Sequence, residues 1–165
     1  MKSILMVVAP KDFRDEELLD TKLVFERSGA RVDVASTANE AIGMFGHSVK
    51  TKLIDDIVVD AYDALVLVGG PGAEVYFNNQ KILSLAKRFY EKNKITAAIC
   101  IAPMILANAE ILKSKKATVW PSLGEKLGAK GAKYTATPVE KDGNIITANG
   151  PKAANDFAEI IVESL

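Results

Sequence analysis

Chemistry in this chain can be sought at three places. The only cysteine, Cys100, lies between two contrasting segments. Ahead of it, Ile95-Thr96-Ala97-Ala98-Ile99 is a short apolar run with β-branched residues, which predicts a buried strand. After it, Pro103–Ala109 predicts a helix with proline in its first turn, where the missing N–H costs little. A thiol on that hinge faces the first free N–H groups of the helix and the positive end of its dipole, and both favour the nucleophilic thiolate. A free cysteine is also among the residues most often buried for packing alone. Taken locally, the sequence admits both readings.

The second place is Gly69-Gly70-Pro71-Gly72. No Gly-Lys-Ser/Thr follows, so it is not a Walker loop, and it lacks the Gly-x-Gly-x-x-Gly spacing of a dinucleotide site. Glycines there either take positive φ in a turn or let backbone N–H groups approach a substrate oxyanion, and the two roles are compatible. The third place is Asp15-Glu16-Glu17. Acids in a first helical turn are favoured by the dipole, so at least two of the three are expected to serve only the helix.

These residues must be positioned by the elements around them. Ser3–Ala9 is a continuous apolar run, the pattern of a parallel strand covered on both faces. Pro10–Phe13 predicts a turn. An amphipathic helix follows over Asp15–Ser28, with Leu18, Leu19, Leu23 and Val24 on its apolar side and Gly29 at the C′ position. Arg31–Ser36 alternates as a second strand, and Gly46–Leu53 predicts an edge strand. Ala64–Val68 is a further apolar strand that ends in the glycines, and Gln80–Lys92 predicts a helix leading to the Cys100 strand. Ala117–Trp120 predicts a short strand. Lys133–Glu140 and Asn144–Ala148, joined through Lys141-Asp142-Gly143, predict a hairpin. Pro151 precedes a closing helix with Ala154, Phe157, Ile160 and Ile161 on its apolar side.

Alternating strands and helices imply an α/β fold, a mainly parallel sheet with helices on both faces. Ligands in such folds bind beyond the carboxyl ends of the central strands, at a topological switch point. The acids, the glycines and Cys100 all follow strands at that rim, which tilts Cys100 toward function.

Composition narrows the classes. Lys+Arg 21 against Asp+Glu 21 leaves no net charge to hold a polyanion. The densest basic run, Lys113-Ser114-Lys115-Lys116, is the length of a solvated turn, so no nucleic-acid partner is expected. One cysteine excludes an internal disulfide framework and suits a reducing compartment. No apolar run approaches membrane-spanning length, and Met1-Lys2 leads straight into a strand, so a cytoplasmic location away from the membrane is expected. The length of 165 residues suits one domain over 1–165.

The stretches Phe13-Arg14-Asp15-Glu16-Glu17, Asp63–Gly70, Ala97–Pro103, and Val139–Thr147 with Gly150-Pro151 together resemble the ThiJ/PfpI superfamily over essentially the whole chain. The last two look most like its deglycase branch. The resemblance implies a flavodoxin-like, doubly wound fold, no cofactor, and a homodimer or larger homo-oligomer. It makes Cys100 the reactive elbow cysteine and Glu17 the acid beside its sulfur. The backbone amides of Gly69, Gly70 and Ile101 become the oxyanion-binding groups.

Two departures stand out. Peptidase-type members place histidine directly after the cysteine, where this chain has Ile101. Deglycase-type members place one before the proline of the next short strand, where it has Trp120. Glu74 matches the acid of the peptidase-type members without an imidazole to orient. The one histidine, His47, lies far from both motif positions and is expected on the surface. A Cys100–Glu17 dyad remains, with Trp120 and Glu74 as pocket residues and no metal ligand set. Amide hydrolysis needs a proton for a poor leaving amine, whereas thiolate addition to an aldehyde needs less. The resemblance therefore implies an enzyme of glyoxalase III or deglycase type, acting on small reactive carbonyls or glycated protein. A redox-sensing protein whose Cys100 oxidises to a sulfinate is the alternative, and a cysteine peptidase is the reading least supported.

Overall fold

The computed structural model describes all residues, Met1–Leu165. In chain order the first half comprises β1 (Ser3–Val7), β2 (Lys11–Phe13), α1 (Asp15–Arg27), β3 (Arg31–Ser36), β4 (Glu40–Gly43), β5 (Ser48–Lys50), β6 (Lys52–Leu53) and β7 (Ala64–Leu67). There follow α2 (Gln80–Glu91), β8 (Ile95–Ile99), α3 (Pro103–Asn108), β9 (Lys116–Ala117), α4 (Gly124–Ala129), β10 (Lys133–Tyr134), β11 (Val139–Asp142), β12 (Ile145–Ala148) and α5 (Ala154–Ser164).

Seven strands form the central sheet in the order β11-β12-β8-β7-β1-β3-β6. Every pairing is parallel except β11 with β12, the hairpin closed at Gly143, where φ is 62°. The order runs outward from β1 in both directions, so the switch point lies between β1 and β7. Alternate strand residues feed two cores, as the period-two pleat requires. Leu5, Val7, Leu65, Leu67 and Ala98 pack with Ile82, Phe89 and Leu106 on one face. Ile4, Met6, Val66, Ala97 and Ile99 pack with Leu18, Phe25, Phe157 and Ile161 on the other. Covering on both faces explains why these strands read as unbroken apolar runs. No helix is long and apolar enough to cross a membrane.

Several expectations are corrected. Pro10–Phe13 is not a plain turn: β2 pairs with β4, which pairs with β5, in a separate three-stranded sheet. The stretch expected as one edge strand, Gly46–Leu53, divides between that sheet and β6 on the main sheet. Lys133–Tyr134 leaves the hairpin to pair with β9, and the strand expected over Ala117–Trp120 ends at Ala117. Short pairings of two or three residues carry too little periodicity to be read locally. In α1 the inward face is Glu17, Leu18, Thr21 and Phe25, while Leu19 and Leu23 are 40% and 46% exposed. The helix is therefore rotated to bury a carboxyl and a hydroxyl. Its end is as expected: Gly29 has φ 86°, and the N–H groups of Gly29 and Ala30 donate to the carbonyls of Glu26 and Phe25 in a Schellman cap.

One side chain ties the rim of the sheet together. The Tyr76 hydroxyl, at the end of the 3-10 turn Pro71–Tyr76, donates to the Val8 carbonyl at 2.8 Å. The same hydroxyl accepts from the Thr37 N–H at 3.2 Å and lies 3.1 Å from Ser36 Oγ. It thus anchors the turn that follows Gly70 to the carboxyl ends of β1 and β3. Tyr76→Phe strands these buried groups and should cost about 1–3 kcal/mol in urea unfolding. A loss of a few tenths would mean that water replaces the hydroxyl.

Candidate active site

Cys100 follows the last residue of β8 in a left-handed conformation, φ 63°. Such a φ on a residue with a Cβ costs about 1–3 kcal/mol and persists only when the surroundings hold it. Two backbone hydrogen bonds do so. The Cys100 N–H donates to the Ala148 carbonyl at 2.9 Å, and its carbonyl accepts from the Trp120 N–H at 2.8 Å. The elbow is thereby pinned between β12 and the segment before α4. The thiol is 6% exposed.

Glu17 arrives from the opposite side, one turn into α1. Its helix is hooked to the sheet by the Arg14 N–H, which donates to the Gly69 carbonyl at 2.9 Å. The residue is 0% exposed, and neither carboxyl oxygen has a nitrogen or oxygen partner. The group that faces it across Gly69 is the Cys100 thiol, which influences its protonation. Gly69 makes this approach possible. A Cβ there would lie 2.5 Å from Cys100 Cβ and 3.0 Å from Glu17 Oε1, so any larger residue would displace the pair. Gly70, with φ 95°, passes so close to the α1 entry that a Cβ would sit 2.3 Å from the Arg14 nitrogen.

Burial dominates the protonation of the pair. It pushes the Glu17 carboxyl up from 4.5 to about 8, against the hydrogen bond with Cys100 and the charge of Arg14, which lower it. Burial and the charge on Glu17 push the Cys100 thiol up to about 12, while the amides of Gly70 and Ile101 pull it down. The expectation of a thiolate favoured by a helix end is therefore corrected. Helix α3 starts three residues beyond Cys100 and is six residues long, and the Cys100 N–H is already used by Ala148. At neutral pH the pair is predominantly uncharged, and its first proton is lost near 8.

The other residues singled out from the sequence are placed as follows. Ile101 and Gly70 direct their amides at the sulfur; Gly69 contributes the missing side chain and the carbonyl that holds Arg14. Trp120 is 42% exposed at the mouth of the site, its ring resting on Gly150, where a Cβ would come within 3.1 Å. Glu74 is exposed on the 3-10 turn and lines a separate cleft of about 760 Å³ with Lys11 and Asp12. His47 is exposed, and only its backbone engages the site region. The three acids divide: Asp15 accepts from the N–H groups of Phe45 and His47, Glu16 pairs with Arg14, and Glu17 faces the thiol.

A cleft of about 600 Å³ lies beside the elbow, lined by Arg14, Trp120, Ser122, Asn149, Gly150 and Lys152 among others. Apart from Trp120, these residues were not assigned a role from the sequence. Asn149 and Gly150 directly follow Ala148, the partner of the Cys100 N–H, so a strand-pairing argument could have found them; Arg14 and Lys152 carry no local signal. No three His, Cys, Asp or Glu side chains are placed to hold a metal.

Two measurements check the electrostatics. Iodoacetamide labelling of Cys100 should accelerate through about pH 8, as the pair gives up its first proton, and Glu17→Gln should remove that step. Rapid labelling of the wild type already at pH 5–6 would show that the amides outweigh burial. The second concerns stability. Between 4.5 and about 8 the folded protein holds a proton on Glu17 that the unfolded chain has lost. Stability should therefore fall as pH rises through that window, by up to about 5 kcal/mol in total. Glu17→Gln should flatten this dependence in denaturant titrations at pH 5, 6.5 and 8.

Residues 2–164 match the DJ-1/PfpI family. An uncharacterized protein of Methanocaldococcus jannaschii is 47% identical over 98% of this chain and 82% of its own length. A deglycase of Pyrococcus horikoshii is 31% identical over 89% of this chain and 90% of its own. Among solved structures, a ThiJ/PfpI domain protein from Brachyspira murdochii superposes with a TM-score of 0.95 at 33% identity, covering 99% of this chain and 97% of that one. Drosophila melanogaster DJ-1beta superposes with a TM-score of 0.91 at 28% identity, covering 99% and 90%. With its flavodoxin-like sheet, and a match that runs from the second residue to the penultimate one, the chain belongs to the DJ-1/PfpI family.

Proposed function

We propose that the protein is a cofactor-free enzyme that converts 2-oxoaldehydes to 2-hydroxy acids through Cys100 and Glu17. The observation that carries this reading is the buried Glu17 carboxyl, which has no nitrogen or oxygen partner and faces the thiol across Gly69. A carboxyl held near pH 8 by burial can both accept and return a proton at physiological pH. Relatives named deglycase support reactive-carbonyl chemistry in the same family.

In the singly ionised pair, the Glu17 carboxylate takes the thiol proton as sulfur attacks the aldehyde carbon. A C–S bond forms, and the carbonyl electrons move to oxygen beside the amides of Gly70 and Ile101. Glu17 returns its proton to that oxygen, giving a hemithioacetal. The carboxylate then removes the hydrogen from the same carbon, and the electrons pass to the neighbouring carbonyl as an enediol. Reprotonation at the second carbon leaves a thioester of the 2-hydroxy acid. Water cleaves the thioester and restores the thiol. One carbon is oxidised and its neighbour reduced, so the net consumption is one water and no external electron carrier.

The sulfinate reading rests on the same orphaned carboxyl, which a sulfinate oxygen would satisfy as acceptor. The raised thiol works against it, because oxidation begins from the thiolate. A peptidase reading finds no imidazole beside Cys100, and Glu74 lies in the other cleft.

Methylglyoxal should be converted to lactate by the wild type and not by Cys100→Ser. Glu17→Gln should lose on the order of 10²-fold or more in turnover while Cys100 still alkylates at high pH. No lactate from the wild type would sink the reading. Equal and modest losses of turnover and alkylation in Glu17→Gln would reduce Glu17 to a positioning group.

A further inference from the structure

The cleft beside Cys100 has an unusual charge for a chain whose positive and negative side chains cancel. Two cations, Arg14 and Lys152, line it, and no acid does. The larger cleft differs, since its Lys11 is accompanied by Asp12 and Glu74. Lys152, on the 3-10 turn before α5, makes no ion pair. Arg14 gives Nε to Glu16 and lies over the Phe45 ring, 5.0 Å from its centroid. Its Nη1 reaches only the Met44 sulfur, at 4.0 Å, and Nη2 makes no hydrogen bond. Its charge nevertheless acts on both Glu17 and Cys100, so it lies within electrostatic reach of the reacting atoms. Ser122 and Asn149 line the same cleft, and neither side chain makes an intramolecular hydrogen bond. Trp120 adds an apolar ring to the lining, packed against Gly150.

Lys152, the remaining guanidinium N–H groups of Arg14 and two neutral side chains form a donor set for an anion, and the one carboxylate at hand, Glu16, is outside the lining and already held by Arg14 Nε. The position is set by the chain: Cys100 bonds to Ala148, and Asn149 and Gly150 come next. Trp120, whose N–H donates to the Cys100 carbonyl, lines the same cleft, so the cleft adjoins the elbow from two segments.

We propose that this cleft is an anion subsite, and that the enzyme's substrates are 2-oxoaldehydes carrying a phosphate or carboxylate at the end remote from the aldehyde. The substrate class rests on the functional reading above, while the subsite itself does not. The reaction is the same: R–CO–CHO and water give R–CHOH–COO⁻ and a proton, with the anionic group in R unchanged.

The test has two arms. In the first, Cys100 is alkylated with iodoacetate and with iodoacetamide at pH 8, with glutathione as the reference thiol. The subsite should raise the iodoacetate-to-iodoacetamide rate ratio about 10-fold above that of glutathione, and 0.5 M NaCl should abolish the preference. Lys152→Gln should lower the ratio and Lys152→Arg should keep it. A wild-type ratio equal to that of glutathione overturns the inference, as does an equal fall in both variants. The second arm compares kcat/KM for hydroxypyruvaldehyde phosphate with that for uncharged hydroxypyruvaldehyde. The phosphate should be favoured about 10-fold, chiefly through KM, and less so in Lys152→Gln. Turnover of both without preference overturns the substrate class. Turnover of neither, with the alkylation preference intact, overturns the functional reading and the substrate class and leaves the subsite standing.

Discussion

Placing the Glu17 carboxyl in the core, with only a thiol opposite it, is the constraint around which this structure is arranged. A buried carboxylate without hydrogen-bond donors is among the most costly groups a small domain can contain. The protein meets that cost by keeping Glu17 protonated, which is why its pKa stands near 8 rather than in the carboxylate range. The same burial raises the Cys100 thiol, so the two groups titrate as a pair. A site of this kind stores a transferable proton instead of a permanent thiolate.

The surrounding architecture holds the pair together against its tendency to separate. Cys100 is kept in a left-handed conformation by backbone bonds to Ala148 and Trp120, on two different segments. Glu17 is held by the Arg14 to Gly69 hydrogen bond at the start of α1. Between them Gly69 has no side chain: any Cβ would overlap Cys100 Cβ and crowd the Glu17 carboxyl. Five separate stretches of chain, carrying Cys100, Ala148, Trp120, Gly69 and the start of α1, thus meet at the carboxyl ends of β7, β8 and β12, beside the switch point of the sheet. The rigidity comes from a sheet buried on both faces, so strain at the elbow is opposed by the packing of two cores.

Charge is distributed in the opposite way outside the core. The dyad is nearly neutral at physiological pH, whereas its mouth carries Arg14 and Lys152 without an acid in the lining. A neutral pair in the interior adds no opposing charge to those cations; only Glu16, paired with Arg14, does so. The field at the entrance is therefore set by the rim, and the proton inventory by the interior.

Much of this could be read directly from the residues. Continuous apolar strands, the helix stops and the positions of Cys100, Gly69-Gly70 and Glu17 after successive strands follow from periodicity and punctuation, which are local properties. The meeting of thiol, acid and glycines at one rim follows from these, whereas the flavodoxin-like fold is implied by the resemblance of four motifs to the ThiJ/PfpI superfamily. What could not be read depends on contacts between distant segments. The rotation of α1 that buries Glu17 and exposes Leu19 and Leu23 goes with the hook of Arg14 onto Gly69 and the packing of distant segments around it. The small sheet of β2, β4 and β5 rests on pairings too short to leave a pattern. The raised thiol reverses the local expectation, because desolvation depends on everything packed around the sulfur and helix-end polarity only on the next few residues. Arg14 came to the same cleft as Asn149 and Lys152 for a similar reason: it is far from them in sequence and is brought there only by the pairing of β12 with β8 and by the hook from α1 to Gly69. Residue type and order determined which groups were available. Burial and close approach, which exist only once the chain is folded, decided their protonation and their company.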